Sequence, residues 1–205
     1  MAVISFLERP RHTDHLRLRD GRTLTVRFVG ADEGEALQRY FRNLSMGSRH
    51  SRFLGAMSEL PPSELGHFLH VGENNRFSVL ATVITDGRET IVGEARYGLE
   101  AETGRFEFGV SVDDLWHSQG IGSALIGNLE CRAAALGARL MFGDTLRSNE
   151  TMISLARKLG FAFARHPDDW KLVRFEKPVL SIAEEIPCAS WRLVAEQRAL
   201  EAAVV

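Results

Sequence analysis

The chain is poor in the features that mark secreted, metal-stapled and membrane-spanning proteins. It has two cysteines in 205 residues, Cys131 and Cys188, and they lack CxxC spacing. We therefore expect neither a disulfide framework nor a structural zinc site. No apolar run approaches the ~18 residues that a helix across a bilayer needs. The first residues, 1–12, show no signal-peptide cleavage pattern. Together these observations predict a cytoplasmic protein without a membrane-bound segment.

The chain also lacks an excess of charge of either sign. It has 25 basic and 27 acidic residues, which gives a formal net charge of −2. A general nucleic-acid binder would show a basic excess, so this class is not expected. A local basic groove for a small phosphorylated ligand remains compatible with the balance. The length suits one domain with a full hydrophobic core.

Strand-like and helix-like segments alternate along the chain. Strand patterns occur at 24–30, 78–85, 90–99, 105–112, 138–146, 161–164 and 170–175, and helical patterns at 33–44, 61–70, 120–135, 148–159 and in the tail to about 202. Asp32 is expected to cap the first helix, and residues 45–60 read as a loop. The Asp86-Gly87 turn predicts a hairpin, and the strand–helix–strand order from 105 to 146 predicts a crossover between parallel strands.

These patterns predict an α/β fold in which helices flank a mixed, mostly antiparallel sheet. We expect a domain over residues 1–177, which begins with an arm or edge hairpin at 1–21. Residues 178–205 read as a linker and a helix. Trp191 at the start of that helix is a candidate anchor, against the domain or in a homodimer.

Two glycines, Gly120 and Gly122, stand where a strand and its loop turn into a helix. Free backbone N–H groups at a helix N-terminus bind phosphate, and glycine lets the anion approach closely. A dinucleotide-binding fingerprint would need a third glycine at Leu125, and no Gly-Lys-Ser/Thr of a nucleotide-binding P-loop occurs. An isolated pair of glycines would more often be a simple turn.

The segment from His117 through Ser118, Gln119 and Gly120 to Gly122 resembles the pyrophosphate loop of the GNAT superfamily of N-acetyltransferases, Gln/Arg-x-x-Gly-x-Gly/Ala. His117 departs from the pattern at its first position. The resemblance implies acetyl-CoA as co-substrate, no metal, and a cofactor site between splayed strands. It implies that backbone amides from Ser118 to Ser123 bind the pyrophosphate.

The same resemblance assigns the arm of the cofactor to two further elements. It implies that the backbone of Val110 and Val112 pairs with the pantetheine, although both side chains read as core. Asn149, which opens a helix ending in Gly-Phe, would reach the pantetheine or simply cap the helix, and Met152 would lie in the core beside it. Many members have a tyrosine as general acid where this chain has Ala156.

The chain is also similar to the catalytic domain of bacterial protein lysine acetyltransferases of the Pat type. The similarity rests on four segments: Gly21–Arg27, Leu44–Phe53, Glu107–Val110 and Asn149–Phe161. It implies that Glu107 is the general base, which removes a proton from the substrate ammonium. The plain structural reading is a glutamate on a solvated face of the sheet.

The resulting prediction is a cytoplasmic acetyl-CoA-dependent N-acetyltransferase that transfers the acetyl group directly to an amine. The acceptor is a protein lysine or, alternatively, a small-molecule amine. Another alternative is a non-catalytic acyl-CoA-binding module in which Glu107 is inert, and a nucleotide-binding domain is a third. No nucleic acid, membrane or metal is expected as a partner.

Overall fold

The computed structural model describes residues 13–55, 57–179 and 186–203 and contains one eight-stranded sheet. Its strands are β1 (Asp14–Arg17), β2 (Thr23–Phe28), β3 (Arg76–Thr85), β4 (Arg88–Glu100), β5 (Arg105–Val112), β6 (Leu140–Leu146), β7 (Ala162–Arg165) and β8 (Leu172–Pro178). The order across the sheet is β1-β2-β3-β4-β5-β6-β8-β7. The edge hairpin expected in the N-terminal arm is β1 with β2; residues 1–12 lie outside the described residues.

Six α-helices flank the sheet. They are α1 (Gly34–Asn43), α2 (Met46–Phe53), α3 (Pro62–Leu69), α4 (Ile121–Ala135), α5 (Glu150–Lys158) and α6 (Ala189–Ala203). Pro62 suits the first turn of α3, because its missing N–H would be unpaired there in any case. Most residues of α4 are buried, so α4 is the central helix of the domain. Among the described residues, no helix has both the length and the apolar composition to cross a membrane.

The sheet is antiparallel except where β5 and β6 meet. These two strands pair in parallel over only three residues, Arg105–Glu107 opposite Leu140–Phe142. Beyond that point β6 stays paired with β8, while β5 stays paired with β4. The predicted mixed sheet and its crossover are therefore confirmed, and β5 and β6 separate toward their C-terminal ends.

The two faces of the sheet bear different side chains, because successive side chains of a strand point to opposite faces. On one face Tyr97 stacks between Phe77 and Phe106 and accepts a hydrogen bond from Arg132 of α4. On the other face, which α1 and α2 cover, Glu94 is buried. The core is thus aromatic under α4 and partly polar under α2.

Residues 45–60 contain a helix where the sequence indicated a loop. None of the residues of α2 is fully buried, so the segment lacks the apolar stripe that identifies a helix in a sequence. Its capping signal is present, since Ser45 accepts a hydrogen bond from the Ser48 N–H at 3.1 Å. The expected cap at Asp32 is wrong: Glu33 occupies the N-cap position of α1 without a side-chain capping bond, and its carboxylate pairs with Arg27.

Cys131 and Cys188 form a disulfide, against the expectation from the sequence. Their Cα atoms lie 6.0 Å apart although 57 positions separate them in the chain. The bond joins α4 to the turn before α6, where Trp191 is buried and donates from Nε1 to Asp14 at 3.0 Å. The sequence spacing hid this pair because only the docking of α6 on α4 brings the two residues together.

Candidate active site

A cavity of about 1010 Å³ opens where β5 and β6 separate. Its walls come from the second half of β5, the loop before α4, the first turns of α4 and α5, and the polar side of α2. Gly143 marks the point of divergence. A Cβ there would lie 2.8 Å from the Phe108 carbonyl oxygen and 2.6 Å from the Phe175 ring. A side chain at 143 would therefore disturb the base of the cavity.

The loop before α4 presents free backbone donors to this cavity. Gly120 is the N-cap of α4 with φ of 89°, and no side chain caps the helix. The N–H groups of the first turn therefore lack the partners that a capping residue would supply. Ser118, with φ of 63°, also takes the left-handed conformation. With the partial positive charge of a helix N-terminus, this loop fits a pyrophosphate.

The two glycines of the loop serve different needs. A Cβ on Gly120 would meet no atom within 4 Å, so this position needs glycine for its backbone conformation. A Cβ on Gly122 would lie 3.0 Å from Leu155 of α5, so this position needs glycine for close packing. Ser123 lines the cavity on the same turn.

The side chains of His117 and Gln119 brace the loop rather than point away from it. His117 is exposed and its Nε2 donates to the Val112 carbonyl oxygen at 2.9 Å. Gln119 donates to the Leu115 carbonyl oxygen at 3.1 Å and accepts from Arg22, whose guanidinium lies over the Trp116 ring. His117 therefore holds the end of β5, a role that its position in the motif did not predict.

Asp114 fastens the same loop to α2. Its carboxylate accepts from the Ser45 N–H and hydroxyl, both at 2.8 Å, and from the Ser48 hydroxyl at 2.7 Å. Partial burial opposes the charged form, but these hydrogen bonds and the nearby His117 outweigh it and lower the pKa of Asp114. The ionised carboxylate thus holds the loop and the start of α2 together at the rim of the cavity.

The predicted residues on β5 and α5 lie around the cavity. Val110 and Val112 line it, and their half-buried side chains pack against the core. Asn149 caps α5 by accepting from the Met152 N–H at 3.1 Å and also donates to Thr145 at 3.0 Å. Both Asn149 and Met152 line the cavity, so the capping role and a cofactor contact are compatible. Ala156, at the position of the family's tyrosine, is fully buried.

Glu107 stands just outside the cavity. It is exposed on β5, one residue before Phe108, the first residue of that strand to line the wall. Gly109 points to the same face as Glu107 and does line the cavity, about 7 Å further along the strand at ~3.4 Å per residue. The carboxylate can therefore reach a group at the cavity wall through a water molecule rather than by lining the wall itself.

Two charged clusters beside the cavity were missed in the sequence. Asp144 lines the wall, accepts from Arg174 at 2.7 Å and 2.9 Å, and lies 3.4 Å from His166. Its hydrogen bonds raise the pKa of Arg174 against partial burial, and Glu107 adds to this effect. Such pairs lie 22 or more positions apart in the chain, so local patterns do not show them.

The second cluster is a buried hydrogen-bonded chain under α2. Arg52 pairs with Glu94, Glu94 accepts from the Ser111 hydroxyl at 2.7 Å, and Ser111 meets the Tyr40 hydroxyl at 2.9 Å. Glu94 is 1% exposed. Burial and the Glu94 carboxylate raise the pKa of the Tyr40 hydroxyl well above its ordinary value. The available signal was a glutamate in the middle of β4, between Gly93 and Ala95.

Further cations line the cavity. Arg17, Arg19 and Lys158 contribute to the wall, alongside the carboxylates of Asp114, Asp144 and Glu150. Within residues 13–55, 57–179 and 186–203, no group of three or more His, Cys, Asp or Glu side chains is arranged to hold a metal ion.

The chain resembles known proteins in sequence and in fold. The chain is 31% identical to Acetyltransferase PA5475 of Pseudomonas aeruginosa over 152 residues, which cover 74% of this chain and 82% of the relative. The GNAT domain of S. lividans PAT superposes with a TM-score of 0.73 at 24% identity, over 81% of this chain and 96% of that one. The cAMP-binding acyltransferase from Mycobacterium smegmatis superposes at 0.57 and 20% identity, over 93% of this chain but 58% of its own.

The family comparison agrees with the site. The sequence pattern described as "Acetyltransferase (GNAT) family" matches residues 40–161, which run from α1 through the glycine loop to the end of α5. The match covers more than half of the chain and includes every wall of the cavity except the β1–β2 turn and β8. With the uncapped loop at the N-terminus of α4 and the separated strands, it shows that the chain belongs to the acetyltransferase (GNAT) family.

Proposed function

We propose that the protein transfers an acetyl group from acetyl-CoA directly to an amine. The observation that carries this proposal is the uncapped N-terminus of α4, which faces a large cavity between separated strands. Acetyl-CoA is a phosphate-bearing ligand with a long thin arm, so it needs both an anion site and a groove. The cavity offers both along one continuous wall.

Each predicted residue receives a role in this complex. The amides from Ser118 to Ser123 bind the pyrophosphate, and the backbone at Val110 and Val112 aligns the pantetheine. Asn149 and Met152 contact the arm from α5. His117 keeps the end of β5 in register with the loop through its bond to the Val112 carbonyl oxygen.

Glu107 acts as the general base through a water molecule. An amine must be neutral to attack a thioester, and a free lysine has a pKa of ~10.4. The exposed Glu107 carboxylate lies on the same sheet face as the cavity wall at Gly109 and can accept the proton there. Ala156 has no proton to give, so the leaving thiolate takes its proton from water.

We infer that the acceptor amine is a protein lysine. Two large apolar side chains stand at the rim, Met46 (77% exposed) and Leu115 (86% exposed), and Asp114 joins their two segments. Exposed apolar groups at a rim suit the docking of a polypeptide. The similarity of the four sequence segments to those of Pat-type protein lysine acetyltransferases also favours this acceptor over a small amine.

The place and assembly of the protein follow as further proposals. We place it in the cytoplasm, where reductants would act on the Cys131–Cys188 pair. The acetyltransferase domain covers residues 1–177, and the tail from 178 is a C-terminal segment that packs on it. Residues 180–185 lie outside the described residues, and α6 packs on α4.

A thiol-release screen tests the proposed function. The purified chain is mixed with acetyl-CoA and with candidate proteins, lysine peptides, polyamines and small amines. Transfer to lysine in a protein or peptide supports the full proposal. Transfer only to small amines would mean that the acceptor is a small molecule and not a protein lysine. Binding of coenzyme A without turnover of any amine favours the non-catalytic binding module. No binding of coenzyme A at all contradicts the proposal.

A further inference from the structure

Arg52 is a fixed cation on the side of the cavity that α2 covers. Its Nε donates to one oxygen of Glu94 at 2.7 Å and its Nη2 donates to the other at 3.2 Å. This forked geometry holds the guanidinium plane in one orientation. Burial opposes the charged form, but Glu94 outweighs it and raises the pKa of Arg52. The group is therefore a permanent donor that cannot act as a base.

The third nitrogen of the guanidinium lies against β5. A Cβ added to Gly109 would be 2.7 Å from Nη1 and 3.1 Å from Cζ, so only glycine leaves room for this contact. No described residue accepts a hydrogen bond from Nη1, although Nε and Nη2 are both used. Both Arg52 and Gly109 line the cavity. Two N–H donors are thus held at the wall without an acceptor among the described residues.

This place coincides with the reacting end of the arm in the proposed complex. The pyrophosphate loop follows the C-terminal end of β5, and an arm that runs back along Val112 and Val110 ends near Gly109. Glu107 lies one step further on the same face. The thioester, the base and the Nη1 donors would then lie within a few residues of one strand.

We propose that Arg52 donates a hydrogen bond from Nη1 to the carbonyl oxygen of the acyl group; this rests on the proposed function. The amine lone pair forms the new N–C bond while the C=O π pair moves onto oxygen. The C–S bond then breaks and its electron pair leaves on the sulfur of coenzyme A. Before the attack the substrate ammonium loses one proton to Glu107 through water, which frees the lone pair. After the attack the nitrogen loses a second proton to solvent, the C=O bond re-forms as the C–S bond breaks, and the thiolate takes one proton from solvent. Arg52 stabilises the oxygen while it is negative.

Glu94, the buried partner of Arg52, explains why a carbonyl oxygen fits beside Nη1 better than a substrate carboxylate would. Glu94 already balances the charge of Arg52, so the pair is neutral as a unit. A permanent anion beside it would leave an uncompensated charge in a partly buried place, which is costly. A carbonyl oxygen is neutral before the reaction and gains negative charge only in the transition state. Donors fixed in advance give their largest effect there.

Two variants separate this role from simple support of the fold. Arg52→Lys keeps a cation beside Glu94 but loses the second arm of the fork. Gly109→Ala keeps Arg52 and pushes Nη1 away by its Cβ. The matched controls are Arg27→Lys, an arginine of β2 that is forked to Glu33 and does not line the cavity, and Gly66→Ala, a glycine of α3 with ordinary room for a Cβ.

We expect both variants to change kcat and to leave the Kd of coenzyme A and the KM of the acceptor unchanged. We expect Arg52→Lys to lower kcat by about 10²–10³-fold, the usual effect of removing one such donor. Gly109→Ala should lower it by up to about 10²-fold, since small displacements of a reacting group have such effects. The Kd of coenzyme A and the KM of the acceptor should stay near wild type, as should kcat of both controls. An unchanged kcat, or a rise in acceptor KM alone, overturns the proposal.

A binding measurement tests the role of Arg52 even if the wild-type chain acetylates no amine. Such a lack of activity would by itself contradict the proposed function. Calorimetry compares acetyl-CoA with S-ethyl-coenzyme A, a thioether that lacks the carbonyl oxygen. Wild type should prefer acetyl-CoA by about fivefold, the net value of one hydrogen bond, and Arg52→Lys should lose that preference. In the absence of turnover, equal preference in the two proteins overturns the assignment of Arg52.

Discussion

The sequence predicted Glu107 as the candidate base, but only the structure gives its position relative to the cavity. Alternation along β5 put Glu107, Gly109 and Ser111 on one face, and the structure places that face under α2. The sequence left open whether Glu107 lies on a solvated face or in the site, and the structure shows it exposed and just outside the cavity wall. This position suits proton transfer through water.

Glu107→Gln should lower turnover by about 10²–10⁴-fold while the affinity for acetyl-CoA stays near wild type. The change keeps the size of the side chain and removes its basic oxygen. Raising the pH should recover part of the loss, because more of the substrate amine, with a pKa of ~10.4, is then neutral. Thiol release across pH 6 to 10 measures this.

Glu100→Gln is the control for that experiment. Glu100 is an exposed carboxylate at the turn of the same β4–β5 hairpin, two residues from the cross-strand partner of Glu107, and it does not line the cavity. Its variant should keep the wild-type rate and pH profile. Near-normal turnover in Glu107→Gln would mean that the base is another group or a chain of water molecules.

Gly120→Glu should abolish most of the affinity for acetyl-CoA. The new carboxylate would stand at the N-terminus of α4, where we propose that the pyrophosphate binds, and two anions would repel each other there. Gly87→Glu is the matched control, because Gly87 also has a positive φ and a Cβ there would also meet no atom within 4 Å. Both variants bear the same backbone strain.

Calorimetry with acetyl-CoA on folded samples compares the two glycine variants. We expect a normal heat of binding for Gly87→Glu and a loss of binding for Gly120→Glu. Equal affinity in the two proteins would remove the loop from the cofactor site, since strain alone would then account for any loss of stability.

At the scale of elements, α2 is held in place by polar contacts rather than by a buried face. Asp114 accepts three hydrogen bonds at its N-terminal end, and Arg52 pairs with Glu94 near its C-terminal end. Sequence periodicity identifies helices by their apolar stripe, so it failed for α2 and succeeded for α1, α4 and α5. The glycine loop was found because its signal is local.

Asp114→Asn should lower the free energy of unfolding at pH 7 by about 1–2 kcal/mol, a value reduced for partial exposure. The pKa of Asp114 is lowered in the folded state from 3.8. Its contribution is therefore complete above pH 3.8 and is lost as the pH falls through the folded-state value. The difference between wild type and variant should close in acid.

Urea unfolding at pH 7 and below pH 3.8 measures that difference. Asp168→Asn is the control, since Asp168 is exposed on the β7–β8 loop and its carboxylate accepts no hydrogen bond from a described residue. It should show no change at either pH. A pH-independent loss in Asp114→Asn would mean that the carboxamide disturbs the rim sterically.

At the scale of the whole molecule, the two ends of the described chain meet on the back of α4. Asp14 of β1 accepts from Asn128 at 2.7 Å and from Trp191 of α6 at 3.0 Å, and it lies 3.7 Å from the fully buried Arg132. Arg17 and Arg19, close to Asp14 in sequence, line the cavity. The tail is thus part of the domain's architecture and not a separate appendage in space.

Cys188→Ser should lower the free energy of unfolding by about 4 kcal/mol under oxidising conditions. The disulfide links positions 57 apart, and a cross-link over such a loop removes conformational entropy from the unfolded chain. Denaturant titrations with and without a reductant measure the effect. Reduced wild type is the control and should match the variant. Equal stability of oxidised and reduced wild type would show that the pair contributes nothing.

The sequence by itself determined the class of the fold, the crossover between parallel strands and the glycine loop at the start of α4, because these depend on periodicity and on glycines at fixed local spacing. The similarity of its motifs to those of N-acetyltransferases was equally local. Only the tertiary structure decided the helix at 46–53, the Cys131–Cys188 disulfide and the Arg52–Glu94–Ser111–Tyr40 chain. Each of these depends on pairs of polar or sulfur atoms from distant segments, whose proximity arises when the apolar faces of the sheet and helices are buried together.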